Sequence, residues 1–226
     1  MIPRTASPVR VEAFLDPRLS RWMWLVKWFI AIPHYIVLFF LWIAFVFVTI
    51  VAFFAILFTG RYPRSLFDFS VGVLRWNWRV AYYAHTALGT DQYPPFTLAD
   101  VPSYPARFDV AYPERLSRGL VLVKWWLLAI PQYIVVGIFF GGWGWNDNWR
   151  GVGLIPFLSL VAVVVLLFTA RYPMHLFDLL LGLARWAARV AAYAALMTDE
   201  YPPFRLDMGG QESTPLTKFP TTGSGV

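Results

Sequence analysis

The chain has 226 residues, of which 58% are hydrophobic, 19% aromatic and only 14% charged. Soluble domains carry about a quarter charged residues, so this composition excludes an ordinary soluble protein and favours a membrane protein. The net charge of +6 comes from short basic clusters beside apolar segments, which argues against a nucleic-acid partner and is typical of loops that orient membrane proteins.

The first predicted element is a short strand. After a tail of residues 1–8, the segment VRVEAF (residues 9–14) alternates apolar and charged residues with the period of two of a β-strand. The second half of the chain repeats this pattern as ARFDVAY (residues 106–112). We expect each strand to pair with the FTL or FRL that follows YPP in its own half, so that each unit closes its own ends.

A long apolar run follows the first strand. Residues 28–58 contain no charged side chain, and runs of this length are typical of a lipid bilayer. They can form a helical hairpin that turns near residues 41–44, or one continuous helix. The hairpin keeps all lysines and arginines except Arg150 on one side of the membrane, whereas the single helix forces arginines back across it at about 2.5–3.5 kcal/mol each. We therefore predict a hairpin.

The RYP sequence behind the apolar run predicts a change of direction. Arg61 anchors the end of the second leg at the headgroups, Tyr62 is typical of the membrane interface, and Pro63 suits the first turn of a new helix. The second half repeats these residues as Arg171, Tyr172 and Pro173. We expect the chain to turn here from crossing the membrane to lying on it.

The next predicted helix carries a polar stripe among apolar and aromatic residues. Asp68, Gly72, Arg75 and Arg79 are spaced by four, three and four residues, which places them on one helical face. The pattern predicts an amphipathic helix at the membrane interface, with the arginines as candidate groups for lipid headgroups or another anion. Alternatively, the arginines only extend to the interface or pair with aspartates. The matching residues in the second half are Asp178, Gly182, Arg185 and Arg189.

The two halves form a tandem duplication. Residues 9–21 match residues 106–118, and both units close on a DxYPPF phrase, in which two prolines end the helix. The second unit has an insert rich in Gly, Asn and Trp, which predicts a loop on the outer side of the membrane. The predicted organisation is an N-terminal tail (1–8), a first membrane repeat (9–99), a linker (100–105), a second membrane repeat (106–208) with its outer loop (141–153), and a disordered C-terminal tail (209–226).

No pattern in the sequence predicts catalysis. His34, His85 and His175 are far apart and do not recur between the units, so no metal site is predicted. Asp91 and Asp199 have no visible catalytic partner nearby, which favours turn formation over a catalytic pair. We expect neither an enzyme nor a bound cofactor.

The motifs KWxxxIPHYIV, FTGRYP with LFDF, RWxxRV and DxYPPF resemble a bacterial integral-membrane family, the domain of unknown function number 4389. The resemblance covers residues 9–98 and again residues 106–206. It implies a cell-membrane protein built from one or two such units, and it implies no settled activity, substrate or cofactor.

These observations together predict an all-α integral membrane protein of the bacterial plasma membrane, multi-pass, with cytoplasmic termini. Each unit consists of an apolar hairpin and an interfacial amphipathic helix, with short extended segments at the cytoplasmic face. Our leading hypothesis is a structural or accessory protein, a scaffold or partner subunit, whose basic helices contact anionic lipid. The expected partners are membrane lipids and a membrane protein. The alternatives are a lipid or small-solute transport protein and a membrane enzyme acting on lipid.

Overall fold

A computed structural model of the protein describes residues 7–141 and 153–207. Within these ranges the chain is mostly helical, with one two-stranded sheet. The first unit contains β1 (Val9–Ala13), α1 (Trp24–Ile30), α2 (Ile32–Thr59) and α3 (Arg64–Ala84). The second unit contains β2 (Ala106–Val110), α4 (Leu120–Val123), a π-helical segment (Lys124–Leu128), α5 (Ile130–Phe140), α6 (Leu154–Thr169) and α7 (Met174–Ala194).

The predicted apolar hairpin is wrong for the first unit, because α2 runs without interruption through residues 41–44. These residues read LWIA, and without Gly or Pro nothing breaks the main-chain hydrogen bonding of the helix. With 28 residues, α2 is about 42 Å long. It ends at Gly60, whose φ of 71° is the left-handed conformation typical of a helix terminus.

A different hairpin forms between α2 and α3. The chain reverses at the RYP sequence, and α3 returns along α2. The Trp42 indole donates a hydrogen bond to Asn77 at 3.3 Å, and the Trp76 indole donates to His34 at 3.0 Å. The turn therefore lays two helices side by side, and it does not change the chain from crossing a membrane to lying on it.

The second unit builds the same hairpin with an interrupted first helix. Gln132 near the start of α5 and Phe139 near its end both contact Trp186 of α7. Ile155, near the start of α6, shares a buried cluster with Leu183. The α6 residue thus contacts α7 at Leu183, and the α5 residues contact it further towards its C-terminus, at Trp186. Helices α5 and α6 therefore take the places of the two halves of α2.

The insert of the second unit leaves from the junction of α5 and α6. Gly153 lies so close to Gly141 and Phe140 that there is no space for a side chain on it. The ends of α5 and α6 therefore meet. Of the predicted outer loop (residues 141–153), residues 142–152 lie outside the described residues.

The two predicted strands are present, but they pair with each other instead of within their own units. They are antiparallel, and Val11 lies opposite Phe108 at the centre. Each strand has a basic residue before its central apolar residue and an acidic residue after it. Antiparallel pairing therefore sets Arg10 opposite Asp109 and Glu12 opposite Arg107, and opposite charges facing each other stabilise the pair.

The strands are exchanged between the units. Arg75 of α3 donates to the main-chain oxygen of Phe108 at 2.9 Å, and Arg185 of α7 donates to that of Val11 at 3.1 Å. Val11 and Phe108 are matching positions of the duplication, so these contacts are reciprocal. An approximate twofold axis therefore passes through the centre of the sheet.

This axis makes the two units antiparallel to each other. Gly60, at the end of α2, accepts a hydrogen bond from the Leu116 amide just before α4. Ala87, just after α3, accepts one from the Tyr172 hydroxyl just before α7. The RYP turn of each unit thus lies beside the opposite end of the other unit.

The elements stack in three layers, with α3 in the middle. Trp76 and Asn77 of α3 face α2, while Trp78 and Tyr82, on the opposite side of the same helix, donate to main-chain oxygens of Glu12 and the following segment. The order is the sheet, then α3 and α7, then the outer helices α2, α5 and α6. Of the helices in the described residues, α2 is long and apolar enough to cross a membrane, and the pair Leu120–Leu128 and Ile130–Phe140, bent by 42°, becomes a second such span if counted as one.

Candidate functional site

The outer helices expose an extensive apolar surface. Only 17% of the apolar window of α2 is buried within the chain, whereas the core helix of a soluble protein is mostly buried. Contiguous apolar patches on soluble monomers rarely exceed a few hundred Å². The exposed large apolar side chains include Phe39, Phe40, Phe47, Ile50, Phe54 and Phe58 on α2, and Trp125, Trp126, Ile134, Ile138, Phe157, Leu160 and Phe168 in the second unit.

The opposite face of the molecule is charged. The apolar side of the sheet is buried against α3 and α7, and its other side carries Arg10, Glu12, Arg107 and Asp109. Asp109, with 66% of its side chain exposed, pairs with Arg75 at 3.1 Å. Arg107 pairs with Asp100 at 2.9 Å. The molecule thus has an apolar face and a charged face, separated by the layer of α3 and α7.

The candidate arginines of the first stripe hold main-chain segments against α3. Arg75 bonds to the oxygens of Phe108 and Leu98. Arg79 is 1% exposed, and its guanidinium donates to the oxygens of Thr97 and Ala99, both at 2.9 Å. Burial lowers the pKa of Arg79, but a guanidinium remains charged at neutral pH. Arg79 therefore clamps the segment after YPP and does not reach a lipid headgroup.

The second stripe repeats this arrangement. Arg189 is 3% exposed and donates to the main-chain oxygens of Arg205 and Asp207. Burial lowers the pKa of Arg189 as well. Arg185 bonds to β1, as described above. In both units, the stripe arginines join α3 or α7 to the YPP segment of the same unit and to the strand of the other.

The other stripe residues divide into buried glycines and exposed aspartates. Gly72 contacts Leu98, and Gly182 contacts Leu206, so the glycines allow the YPP segments to approach the helices closely. Asp68 pairs with Arg64 at 3.2 Å on the surface, and Asp178 is exposed. The aspartates are therefore not the partners of the stripe arginines.

The RYP residues also separate. Arg61 and Arg171 are exposed, while Tyr62 and Tyr172 are buried. The Tyr62 hydroxyl lies 3.2 Å from the Ser70 hydroxyl, which makes this tyrosine part of the core instead of an interface anchor. Pro63 and Pro173 stand directly before α3 and α7.

Sequence reasoning missed a duplicated buried ion pair. Lys27, which is 1% exposed, lies 2.7 Å from Asp91, and Lys124, fully buried, lies 2.8 Å from Asp199. Burial lowers the pKa of Lys27, and the Asp91 carboxylate opposes that shift. The signal was available, because a lysine recurs at the start of each apolar segment and an aspartate recurs before each YPPF.

The aspartates also fix the start of the helices. Asp91 accepts a hydrogen bond from the Ser20 amide, and Asp199 accepts one from the Ser117 amide, each at 2.6 Å. Each Lys–Asp pair therefore joins the segment before the outer helix to the loop behind α3 or α7. This use of the aspartates is structural.

His34 and Gln132 play the same part in their units. The His34 ring nitrogen Nδ1 accepts from the Trp76 indole, and Gln132 Oε1 accepts from the Trp186 indole at 2.7 Å. Gln132 also donates to the Pro202 oxygen at 2.8 Å. The two residue types look unrelated in the sequence, but both supply a buried acceptor to a matching tryptophan.

The described residues contain no group of three or more His, Cys, Asp or Glu side chains that could hold a metal ion. The sequence profile of the Domain of unknown function (DUF4389) matches residues 21–97 and 153–205. The chain belongs to the DUF4389 family. No curated protein and no solved structure matches it.

The two DUF4389 matches lie in different units. The first extends from the segment before α1 to the YPP segment, and the second begins at α6 and ends at the second YPP segment. Each match therefore contains one RYP turn, one polar stripe and one YPPF phrase. These are the residues that form the clamps of α3 and α7.

Proposed function

We propose that this DUF4389 chain is a non-catalytic structural or accessory membrane protein that lies flat in one leaflet of the bacterial plasma membrane. The outer helices α2, α5 and α6 contact lipid, and the charged side of the sheet faces water. One observation carries the proposal, namely the opposition of an apolar face and a charged face across three layers. This orientation replaces the expected multi-pass arrangement.

The position of the sheet favours a flat orientation over an upright one. Arg75 lies in the middle of α3 and bonds to β2, so the charged side of the sheet stands level with the middle of the helices. If α2 crossed the membrane upright, Asp109 and Arg107 would lie at the centre of the bilayer. A charged side chain there costs about 2.5–3.5 kcal/mol or more.

The segment between α3 and β2 supports the same choice. Residues 85–105 form neither helix nor strand. They extend back along α3 to its middle, where Leu98 contacts Gly72, and Arg79 clamps them nearer its end. Irregular backbone that faces lipid within the hydrocarbon core is not tolerated, since its polar groups lack partners. A flat orientation puts this segment on the aqueous side.

The accessory role rests on how the buried polar groups are used. The buried lysines and stripe arginines bind carboxylates or main-chain oxygens of the chain itself. They hold the fold together and are not directed at a substrate. The exposed basic residues at the ends of the hairpins remain for anionic headgroups, and the excess of positive charge favours the cytoplasmic side for the charged face.

Cysteine labelling tests the orientation directly, because the chain has no cysteine of its own. Single variants Asp109→Cys on the sheet and Ser65→Cys and His175→Cys at the two RYP turns are treated with a membrane-impermeant maleimide. In the flat orientation all three label from the same side. Phe47→Cys, in the middle of α2, labels only after detergent is added.

Two results would contradict the proposal. Labelling of Ser65→Cys and His175→Cys from opposite sides would establish upright, antiparallel units, because the two turns lie at opposite ends of the molecule. Release of the protein from membranes by an alkaline carbonate wash would show that it is not embedded.

A further inference from the structure

An exposed groove at one end of the molecule collects three arginines from two distant segments. It is lined by Thr59, Gly60 and Arg61, which follow α2, and by Arg115, Leu116 and Arg118, which precede α4. The hydrogen bond from the Leu116 amide to the Gly60 oxygen, at 2.9 Å, holds the segments together. Arg61, Arg115 and Arg118 are all exposed.

Within the described residues these arginines have no acidic partner, in contrast to other arginines on the surface. Arg64, Arg75 and Arg107 each pair with an aspartate. In the described parts of the chain, no carboxylate lies within 4.0 Å of the guanidinium groups of the groove. Three uncompensated charges in one concave site repel one another, and an anion bound between them removes that repulsion.

The groove also lies between the water-facing and apolar layers. Residues 111–119 lead from β2, in the sheet layer, to α4 beside the outer helices. Phe58, directly before the groove, is 72% exposed. A phosphate in the groove would therefore have an apolar surface beside it for an acyl chain, while the planar guanidinium groups suit phosphate oxygens.

We infer that Arg61, Arg115 and Arg118 bind one phosphate group, either the headgroup of an anionic phospholipid or a free phosphate monoester. The alternative in which the phosphate belongs to a phospholipid rests on the proposed function. It assigns the predicted contact with anionic lipid to the groove. It also moves that contact from the buried stripe arginines to the end of the molecule.

The duplication provides a matched control. The corresponding arginines of the other half are Arg171, Arg18 and Arg21, and all are exposed. The RYP turn of the second unit is built differently from that of the first. Ala170 is exposed, whereas Gly60 is buried beneath the segment around Leu116 that precedes α4. Replacing either set by glutamine removes the same charge, but the described groove is lined by Arg61, Arg115 and Arg118.

The test compares the full chain with the two triple variants in detergent. The probes are short-chain phosphatidic acid, short-chain phosphatidylcholine and inorganic phosphate, and binding is measured by calorimetry. Replacing Arg61, Arg115 and Arg118 by Gln should weaken phosphatidic acid binding by about tenfold or more, since several charge-assisted hydrogen bonds are lost. The control variant Arg18→Gln, Arg21→Gln, Arg171→Gln should bind almost as well as the native protein.

The arms distinguish the source of the phosphate. Binding of phosphatidic acid without measurable binding of inorganic phosphate identifies a lipid site, and equal affinity for both identifies a site for free phosphate. Equal loss of binding in the two triple variants, or no loss in the groove variant, would overturn the inference. The inorganic phosphate arm needs no membrane, so its outcome is independent of the labelling test above.

Discussion

At the residue scale, the two RYP turns pose the same backbone problem and meet it with different residues. Gly60 has a φ of 71° and Ala170 a φ of 57°. Glycine adopts this left-handed conformation without cost, whereas an alanine is strained by about 1–2 kcal/mol. The space around Gly60 would accept a methyl group, since its nearest neighbours would be 3.5 Å away. A methyl group on Gly60 would therefore be strained by the backbone conformation alone.

The first prediction is a reciprocal exchange at these turns. Gly60→Ala should lower the free energy of unfolding by about 1 kcal/mol, and Ala170→Gly should raise it by a similar amount, because the methyl group strains a left-handed residue. Chemical unfolding in detergent, followed by circular dichroism, measures both. A fall in stability for both variants would show that the φ values do not control these turns.

At the element scale, the YPP segments are held against α3 and α7 by close backbone approach and by arginine clamps. A Cβ on Gly72 would lie 2.8 Å from the Leu98 Cβ and 3.2 Å from the Leu98 oxygen. Gly182 would meet Leu206 at 2.8 Å in the same way. Glycine in the interior of a helix normally costs about 1 kcal/mol relative to alanine, so its presence here reflects the neighbouring segment.

The second prediction tests this close approach. Gly72→Ala should destabilise the protein by about 1–3 kcal/mol despite the better helix propensity of alanine, because the YPP segment must move. Hydrogen exchange of residues 97–99 should accelerate in the same variant. Gly119→Ala is the control, since a Cβ there meets no atom within 4 Å. Unchanged exchange in Gly72→Ala would mean that the close approach at Gly72 does not hold the segment in place.

At the scale of the whole molecule, the exchanged strands join the two units into one antiparallel pair. Each strand packs on the helix of the other unit. The two cross-strand positions of opposite charge, Arg10 opposite Asp109 and Glu12 opposite Arg107, are related by the same approximate axis. The arrangement resembles a twofold interface within a single chain, in which the contact of Arg75 with Phe108 and that of Arg185 with Val11 are counterparts. Such a molecule presents one continuous apolar face and one continuous charged face.

The third prediction concerns register across this sheet. Arg10→Glu should lower stability by about 0.2–1 kcal/mol, because it sets two acidic residues opposite each other. The double variant Arg10→Glu, Asp109→Arg restores opposite charges across the strands and should recover only part of the loss, because it also removes the pair of Asp109 with Arg75. A double-mutant cycle on thermal unfolding at low salt measures the coupling. The absence of coupling would show that the charges do not contribute to the pairing of the units.

The sequence alone determined the features that depend on short-range pattern. The duplication, the strand period in residues 9–14 and 106–112, and the proline-started helices after RYP all follow from local composition and spacing. The order of basic and acidic residues in the two strands is consistent with their antiparallel register. The same order is also compatible with pairing of each strand inside its own unit. A duplicated chain offers each strand more than one partner of similar chemistry. Only the tertiary structure therefore shows that the strands of the two units pair with each other.

Burial likewise was decided by tertiary packing. The spacing of Arg75 and Arg79 predicts a shared helical face, but it does not reveal that the YPP segment covers that face and turns Arg79 into a buried clamp. Helix α2 stays continuous through residues 41–44, which contain no Gly or Pro, and α3 packs along it. Periodicity specifies which side chains share a helical face. Which element packs on that face depends on contacts between residues far apart in the chain, and this element determines the role of the arginines.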